Sequence, residues 1–218
     1  MEIHCLQIIY STSSNSCSKT LDKRSIISGF SSVWILRSAI IKGAWLHART
    51  RSGGSNLTLG RLAIKIWCQG YSRMKLRDVK PKLRTMSSFE EAPDIIVLHC
   101  GGNDLGQHSI GDLRELAQSQ LQYVATLFPT TKIIWSQILP RSNWRYSENR
   151  IRLNNAAATE AVRVGGGYVR YPELKLSCSQ LWAKDGTHIS QLGKEVFLNT
   201  LQGALETLKL SRAKLYPN

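Results

Sequence analysis

The chain has 218 residues, of which 42% are hydrophobic and 20% charged. That is long enough for one large core and ordinary for a globular domain. No apolar run reaches the roughly 18–20 residues of a membrane span, and the apolar patch 5–10 behind Met1-Glu2-Ile3-His4 lacks the basic start and the length of a signal peptide.

Residues 1 to about 30 read as a flexible leader, because Ser11, Ser13, Ser14, Ser16 and Ser18 and a second serine-rich stretch at 25–32 leave little to bury. The domain is expected over 31–210, with 211–218 as a short tail. Val33-Trp34-Ile35-Leu36 reads as a strand, followed by a helical stretch through Ala48. Residues 62–67 read as a second strand, followed by a basic helix at 74–83. The clearest strand is 94–100, where Ile95-Ile96-Val97-Leu98 is apolar without interruption. That pattern predicts burial on both faces, as in a parallel sheet. Gly111-Asp112 opens a helix that Pro129 closes. Residues 132–138 form another strand, 150–164 a helix stopped by Gly165-Gly166-Gly167, 168–171 a short strand, and 192–210 the last helix. This β-α alternation predicts a three-layer α/β/α sandwich around a parallel sheet of about five strands, flavodoxin-like in class. Ligand sites in such folds lie at the C-terminal ends of the strands.

The net charge is +14, and its distribution is uneven. Residues 37–84 hold twelve Lys/Arg against the single acid Asp78, which accounts for +11 of the total. A stretch of this kind is either a solvated basic surface or a face for a polyanion such as nucleic acid. The five cysteines, Cys5, Cys17, Cys68, Cys100 and Cys178, are odd in number and form no Cys-x-x-Cys pair. This argues for free thiols in a reducing, intracellular compartment and against a disulfide framework or a zinc site.

Three places carry residues suited to chemistry. Ser38 follows the first strand, Cys100-Gly101-Gly102-Asn103-Asp104 follows the third, and Asp185-Gly186-Thr187-His188 precedes the last helix. Each has a plain structural alternative: a helix N-cap for Ser38, a turn residue for Asn103, a loop or capping residue for His188. His99 reads as a packed histidine, Cys100 as a small buried apolar residue, and Trp34, Trp67 and Trp135 as sheet-packing residues. Trp144 and Trp182 flank loops near the strand ends, and are either structural or line a pocket there.

With these motifs in this order, 33–208 resembles the SGNH/GDSL hydrolase superfamily, and more narrowly the esterase-like domains found with transposable elements in vertebrate genomes. The likeness rests on 33–38, 94–105, 132–145 with Trp135-Ser136-Gln137-Ile138-Leu139-Pro140-Arg141, and 182–193. It implies Ser38 as nucleophile, His188 as its base and Asp185, three residues earlier, as the acid that orients the imidazole. It also implies an oxyanion hole from the Ser38 N–H, a glycine N–H after the second strand and the Asn103 side-chain amide. Gly70 is the glycine in question. No metal or organic cofactor is needed.

Two positions depart from the family pattern. Leu36-Arg37 stands where Gly-Asp or Gly-His precedes the nucleophile. The leucine should crowd a tight turn or shift Ser38, and the cation should either oppose protonation of a nearby base or stabilise an oxyanion. Arg73 stands before Met74, where related domains often have the oxyanion glycine. The expected function is hydrolysis of a small carboxylic ester through an acyl-serine, with no membrane partner. The alternatives are an inactive module that binds nucleic acid through 37–84, or a decayed transposon-derived copy.

Overall fold

A computed structural model describes residues 29–38, 41–141 and 147–217. Residues 1–28 of the expected leader, and Trp144, lie outside the described residues. In chain order the strands are β1 (Ser31–Ser38), β2 (Ile64–Tyr71), β3 (Ile95–His99), β4 (Lys132–Ser136), β5 (Gly167–Val169) and β6 (Leu215–Tyr216). The helices are α1 (Lys42–Ala48), α2 (Val79–Ser87), α3 (Ile110–Leu127), α4 (Ser147–Arg163) and α5 (Gln191–Leu210).

All six strands are parallel, in the order β2-β1-β3-β4-β5-β6. The α/β expectation therefore holds, with a sixth strand added. Residues 215 and 216 of the expected tail pair with Tyr168 and Val169 as β6. Consecutive strands run outward on either side of β1, so the chain reverses direction across the sheet between β1 and β3. In open α/β sheets this switch point is where a crevice opens for ligands.

Alternation along the strands sorts the side chains into two cores. Val33, Ile35, Ile64, Val97 and Ile134 pack with α1 and α5 through Trp45, Phe197 and Leu201. Trp34, Leu36, Ile96, Leu98 and Trp135 pack with α2, α3 and α4 through Leu83, Leu121 and Leu153. All five residues of β3 are buried, as its unbroken apolar run requires. α3 starts where the Ser109 side chain accepts from Asp112 N–H at 3.1 Å, and α5 where Ser190 accepts from Gly193 N–H at 3.1 Å.

The basic helix expected at 74–83 starts later. A 3-10 turn at Leu76–Asp78 precedes α2, and the Asp78 carboxylate accepts from Lys75 N–H at 2.8 Å. Part of the basic stretch is neutralised across the fold, since Arg51 pairs with Glu195 at 3.0 Å and Arg61 with Glu206, both acids on α5. Cys68, Cys100 and Cys178 are free thiols. Among the described residues, no helix is long and apolar enough to cross a membrane, and no group of His, Cys, Asp and Glu is arranged to hold a metal ion.

Candidate active site

β1 runs unbroken through Leu36 and Arg37 to Ser38. Leu36 is wholly buried beside Gln69 and Leu98, so it fills core instead of crowding a turn. Ser38 ends the strand, 3% exposed, with Tyr71 as its β2 neighbour. By alternation it shares the face of Trp34 and Leu36, which also carries Met74.

Arg37 points to the opposite face, and its effect falls on groups other than Ser38. It is 7% exposed, and its Nε donates to Cys68 Sγ at 3.2 Å. Its guanidinium lies over Gly70, where a Cβ would come within 2.5 Å of Arg37 Cζ. Gly70 thus sits inside β2, opposite Arg37, rather than beyond the strand end, and its missing side chain makes room for the guanidinium. Burial pushes the Cys68 thiol up to about 11 against the opposing pull of Arg37, which keeps it protonated at neutral pH.

The cation acts on His99, its neighbour on β3. Burial first, and then the charges of Arg37 and Arg141, push His99 down to about 3. His99 Nδ1 meets Ser136 Oγ at 3.0 Å, Ser136 meets Tyr171 OH at 2.7 Å, and Tyr171 stacks on Phe197. This buried network fits the packed histidine expected from the sequence.

The Asp185–His188 segment is the tip of a hairpin. Its base is clamped by the Trp182–Ile189 bridge, by Ala183 N–H to His188 O at 2.8 Å and by Ser190 N–H to Leu181 O at 2.9 Å. Both bridge residues are core. Of the two readings of Trp182, the structure fits the structural one: it anchors the hairpin, with its indole N–H on Lys175 O at 2.9 Å. Gly193 lets the first turn of α5 close on this base, since a Cβ there would lie 2.2 Å from Leu181 O. At the tip, Asp185 Oδ1 accepts from the N–H groups of Thr187 and His188, both at 2.9 Å. Asp185 Oδ2 meets His188 Nδ1 at 2.6 Å. The histidine bond and then the two backbone donors hold the Asp185 carboxyl well below the usual carboxylate range. Both side chains are about half exposed. With Nδ1 committed to the carboxylate, Nε2 is the nitrogen left to take a proton.

Asn103 lies in the turn after β3 and donates one amide N–H to Met74 O at 3.0 Å. The amide has a second N–H to offer. Asn103 and Gly102 line an open cleft of about 490 Å³ whose other walls include Arg73, Lys75 and Arg141. Arg73, which occupies the expected glycine position, has φ +53°, in the left-handed region that favours glycine. The structure thus puts Ser38, Gly70 and Asn103 around the β2-β1-β3 strand ends, and Asp185 and His188 together on one hairpin. Among the described residues no hydrogen bond joins Ser38 Oγ to His188. The sequence reading missed the basic cleft, although the cluster Arg73, Lys75 and Arg141 around a Gly-Gly-Asn turn was open to view.

No family model matches the chain, and no curated protein matches it. Solved structures do. A lipase/acylhydrolase from Enterococcus faecalis matches with TM-score 0.64 and 14% identity over 84% of this chain and 100% of that one. A family 3 carbohydrate esterase from Clostridium thermocellum matches with TM-score 0.64 and 16% identity over 83% and 98%. A GDSL-like lipase from Bacteroides thetaiotaomicron matches with TM-score 0.53 and 18% identity over 80% and 87%. At these identities the likeness is one of architecture, and on that ground the chain has the α/β fold of the GDSL lipases and acylhydrolases.

Proposed function

We propose that the protein is a serine ester hydrolase acting on a small carboxylic ester. The observation that carries this reading is the Asp185–His188 pair at 2.6 Å, held at the tip of a core-anchored hairpin. Ser38 Oγ attacks the ester carbonyl while His188 Nε2 takes its proton. Asp185 keeps the ring oriented and stabilises the imidazolium. The oxyanion is met by the second Asn103 N–H and by backbone N–H groups of Ser38 and Gly70. His188 then returns the proton to the leaving alcohol, and water attacks the acyl-serine by the same route. No metal or organic cofactor enters this scheme. An intracellular setting belongs to the same reading, on the ground of the odd, unpaired cysteine set.

Hydrolysis of 4-nitrophenyl acetate by wild type, Ser38→Ala and His188→Ala tests it. Activity lost in both variants is the expected result, and equal rates in all three proteins would overturn the assignment.

A second reading is favoured by one observation. Lys80 and Arg84 lie over the Tyr123 ring and Lys82 over the Tyr71 ring, so α2 presents cations braced on aromatics. In that reading the domain, a descendant of a transposon-associated esterase, has lost turnover and binds nucleic acid through the basic stretch 37–84. Binding would then fall steeply with salt as phosphate contacts release counterions. A salt-independent or absent interaction would rule it out.

A further inference from the structure

The cleft beside Asn103 carries charge of one sign. Arg73, Lys75 and Arg141 line it together with Gly102, Asn103 and Gln107, and among the described residues no carboxylate does. The nearby acids are turned to the backbone: Asp78 accepts from Lys75 N–H at 2.8 Å, and Asp104 from Leu76 N–H at 3.1 Å. Asp104 is buried, and burial raises its pKa against the opposing pull of the Leu76 N–H and of Lys75. Lys75 Nζ donates to Gln107 Oε1, a neutral partner, and its charge is felt by the Asp104 carboxyl. A concave surface lined by cations focuses their field into the groove and concentrates anions there.

A second observation points the same way. Arg73 occupies a left-handed backbone position, at φ +53°, in the turn between β2 and the Leu76–Asp78 3-10 turn. That conformation is strained for a residue with a Cβ. Local strain of this kind concentrates at ligand-binding positions. The arginine that bears it lines the same cleft as the oxyanion amide.

We propose that this cleft binds an anionic group carried by the ester, so that the substrate class is acidic esters, bearing a carboxylate, sulfate or phosphate. This rests on the serine-esterase reading for its chemistry, but the binding step stands apart from turnover. The anion sits among Arg73, Lys75 and Arg141, and its carbonyl reaches the Asn103 amide from there. Neutral esters lack this anchor and gain only the oxyanion contacts.

Three esters test the proposal at low ionic strength, each rate taken relative to its uncatalysed hydrolysis. 4-Nitrophenyl acetate is neutral, 4-nitrophenyl hemisuccinate carries its carboxylate on the acyl side, and 5-acetoxy-2-nitrobenzoate carries it on the alcohol side. At least one anionic ester should show a kcat/KM about tenfold above the neutral one, the size of one charge-assisted hydrogen bond. The preference should fall toward unity in Arg73→Gln and in Lys75→Gln, and in wild type at high salt. No preference, or one that survives both substitutions, overturns the proposal.

Binding is read independently by NMR titration of the wild-type protein with 5-hydroxy-2-nitrobenzoate and with 4-nitrophenol. Saturable shifts at Gly102, Asn103 and Gln107 should appear with the anion and not with the phenol. Their absence overturns the proposal whatever the turnover. Binding without turnover of any ester would refute the esterase reading and leave the anion cleft standing.

Discussion

Gly70→Ala tests the strangest contact in the fold, the arginine laid over a glycine between β1 and β2. The added Cβ would lie 2.5 Å from Arg37 Cζ and Nη1, and 2.8 Å from Nη2. Relaxed separations are about 3.5–4.0 Å, so the guanidinium must retreat by about 1 Å. An exposed arginine would swing away at no cost. Arg37 is 7% exposed and tied to Cys68 at 3.2 Å, and His99 flanks it on β3. Overpacking of this kind costs about 1–3 kcal/mol. We expect about 2 kcal/mol in urea denaturation, which is about 6 °C in Tm for a domain of this size. The same substitution in an Arg37→Ala background meets no guanidinium. There it should cost less than about 0.5 kcal/mol, because alanine suits a strand better than glycine. The coupling energy is then about 1.5 kcal/mol. Equal penalties in the two backgrounds would refute the reasoning and place the role of Gly70 elsewhere.

Acid stability follows from His99. Its folded pKa, about 3, lies below the 6.5 of an unperturbed histidine, so the unfolded chain binds a proton that the folded one refuses. Stability should therefore be level above pH 6.5 and fall as pH drops from 6.5 toward 3, by up to about 1.4 kcal/mol per unit. His99→Gln should flatten that slope in denaturation curves taken at several pH values, and an unchanged slope would assign the acid sensitivity to other groups. Arg73→Gly should relieve a strained backbone whereas Arg73→Ala should not. Thermal unfolding should rank the glycine variant above the alanine variant by about 1 kcal/mol, and the opposite ranking would contradict the left-handed assignment.

The parts of the fold legible in the sequence are those whose burial is encoded by a continuous or periodic pattern. β3 is an uninterrupted apolar run, and α3 and α5 repeat leucine at helical spacing between a serine cap and a stop. Where partners set the boundaries, the sequence reading drifts. β2 was expected at 62–67 but is Ile64–Tyr71, because its register against β1 runs from Ser31–Ile64 to Ser38–Tyr71. That shift draws Gly70 into the strand. β6 has two residues and no local pattern; it exists only as an edge of β5. Trp182 looked like a loop aromatic because its cross-strand partner, Ile189, lies seven residues on. At the site, the Asp185–His188 spacing fixed its own geometry, since three residues suffice to close that turn. The direction of Arg37 was not legible: one step of strand alternation separates a cation facing Ser38 from one facing His99.

The two histidines stand in opposite surroundings. His99 is buried and pressed by Arg37 and Arg141, so near neutral pH its ring stays uncharged; its Nδ1 is already engaged with Ser136. His188 stands on an exposed hairpin with a carboxylate on Nδ1, the arrangement that fixes the tautomer and leaves Nε2 for a hydroxyl proton. Arg37, next to Ser38 in sequence, therefore need not act on His188. The β-strand sends Ser38 to the Met74 face and Arg37 to the α5 face, where its charge helps keep a structural histidine neutral. Leu36 and Arg37 set the packing of one core and the room over Gly70, while the Asp185–His188 hairpin is built from contacts that involve neither residue. Leu36-Arg37 is thus compatible with the Asp185–His188 pair, and the serine-esterase proposal further requires that Ser38 and His188 come within hydrogen-bond reach of each other.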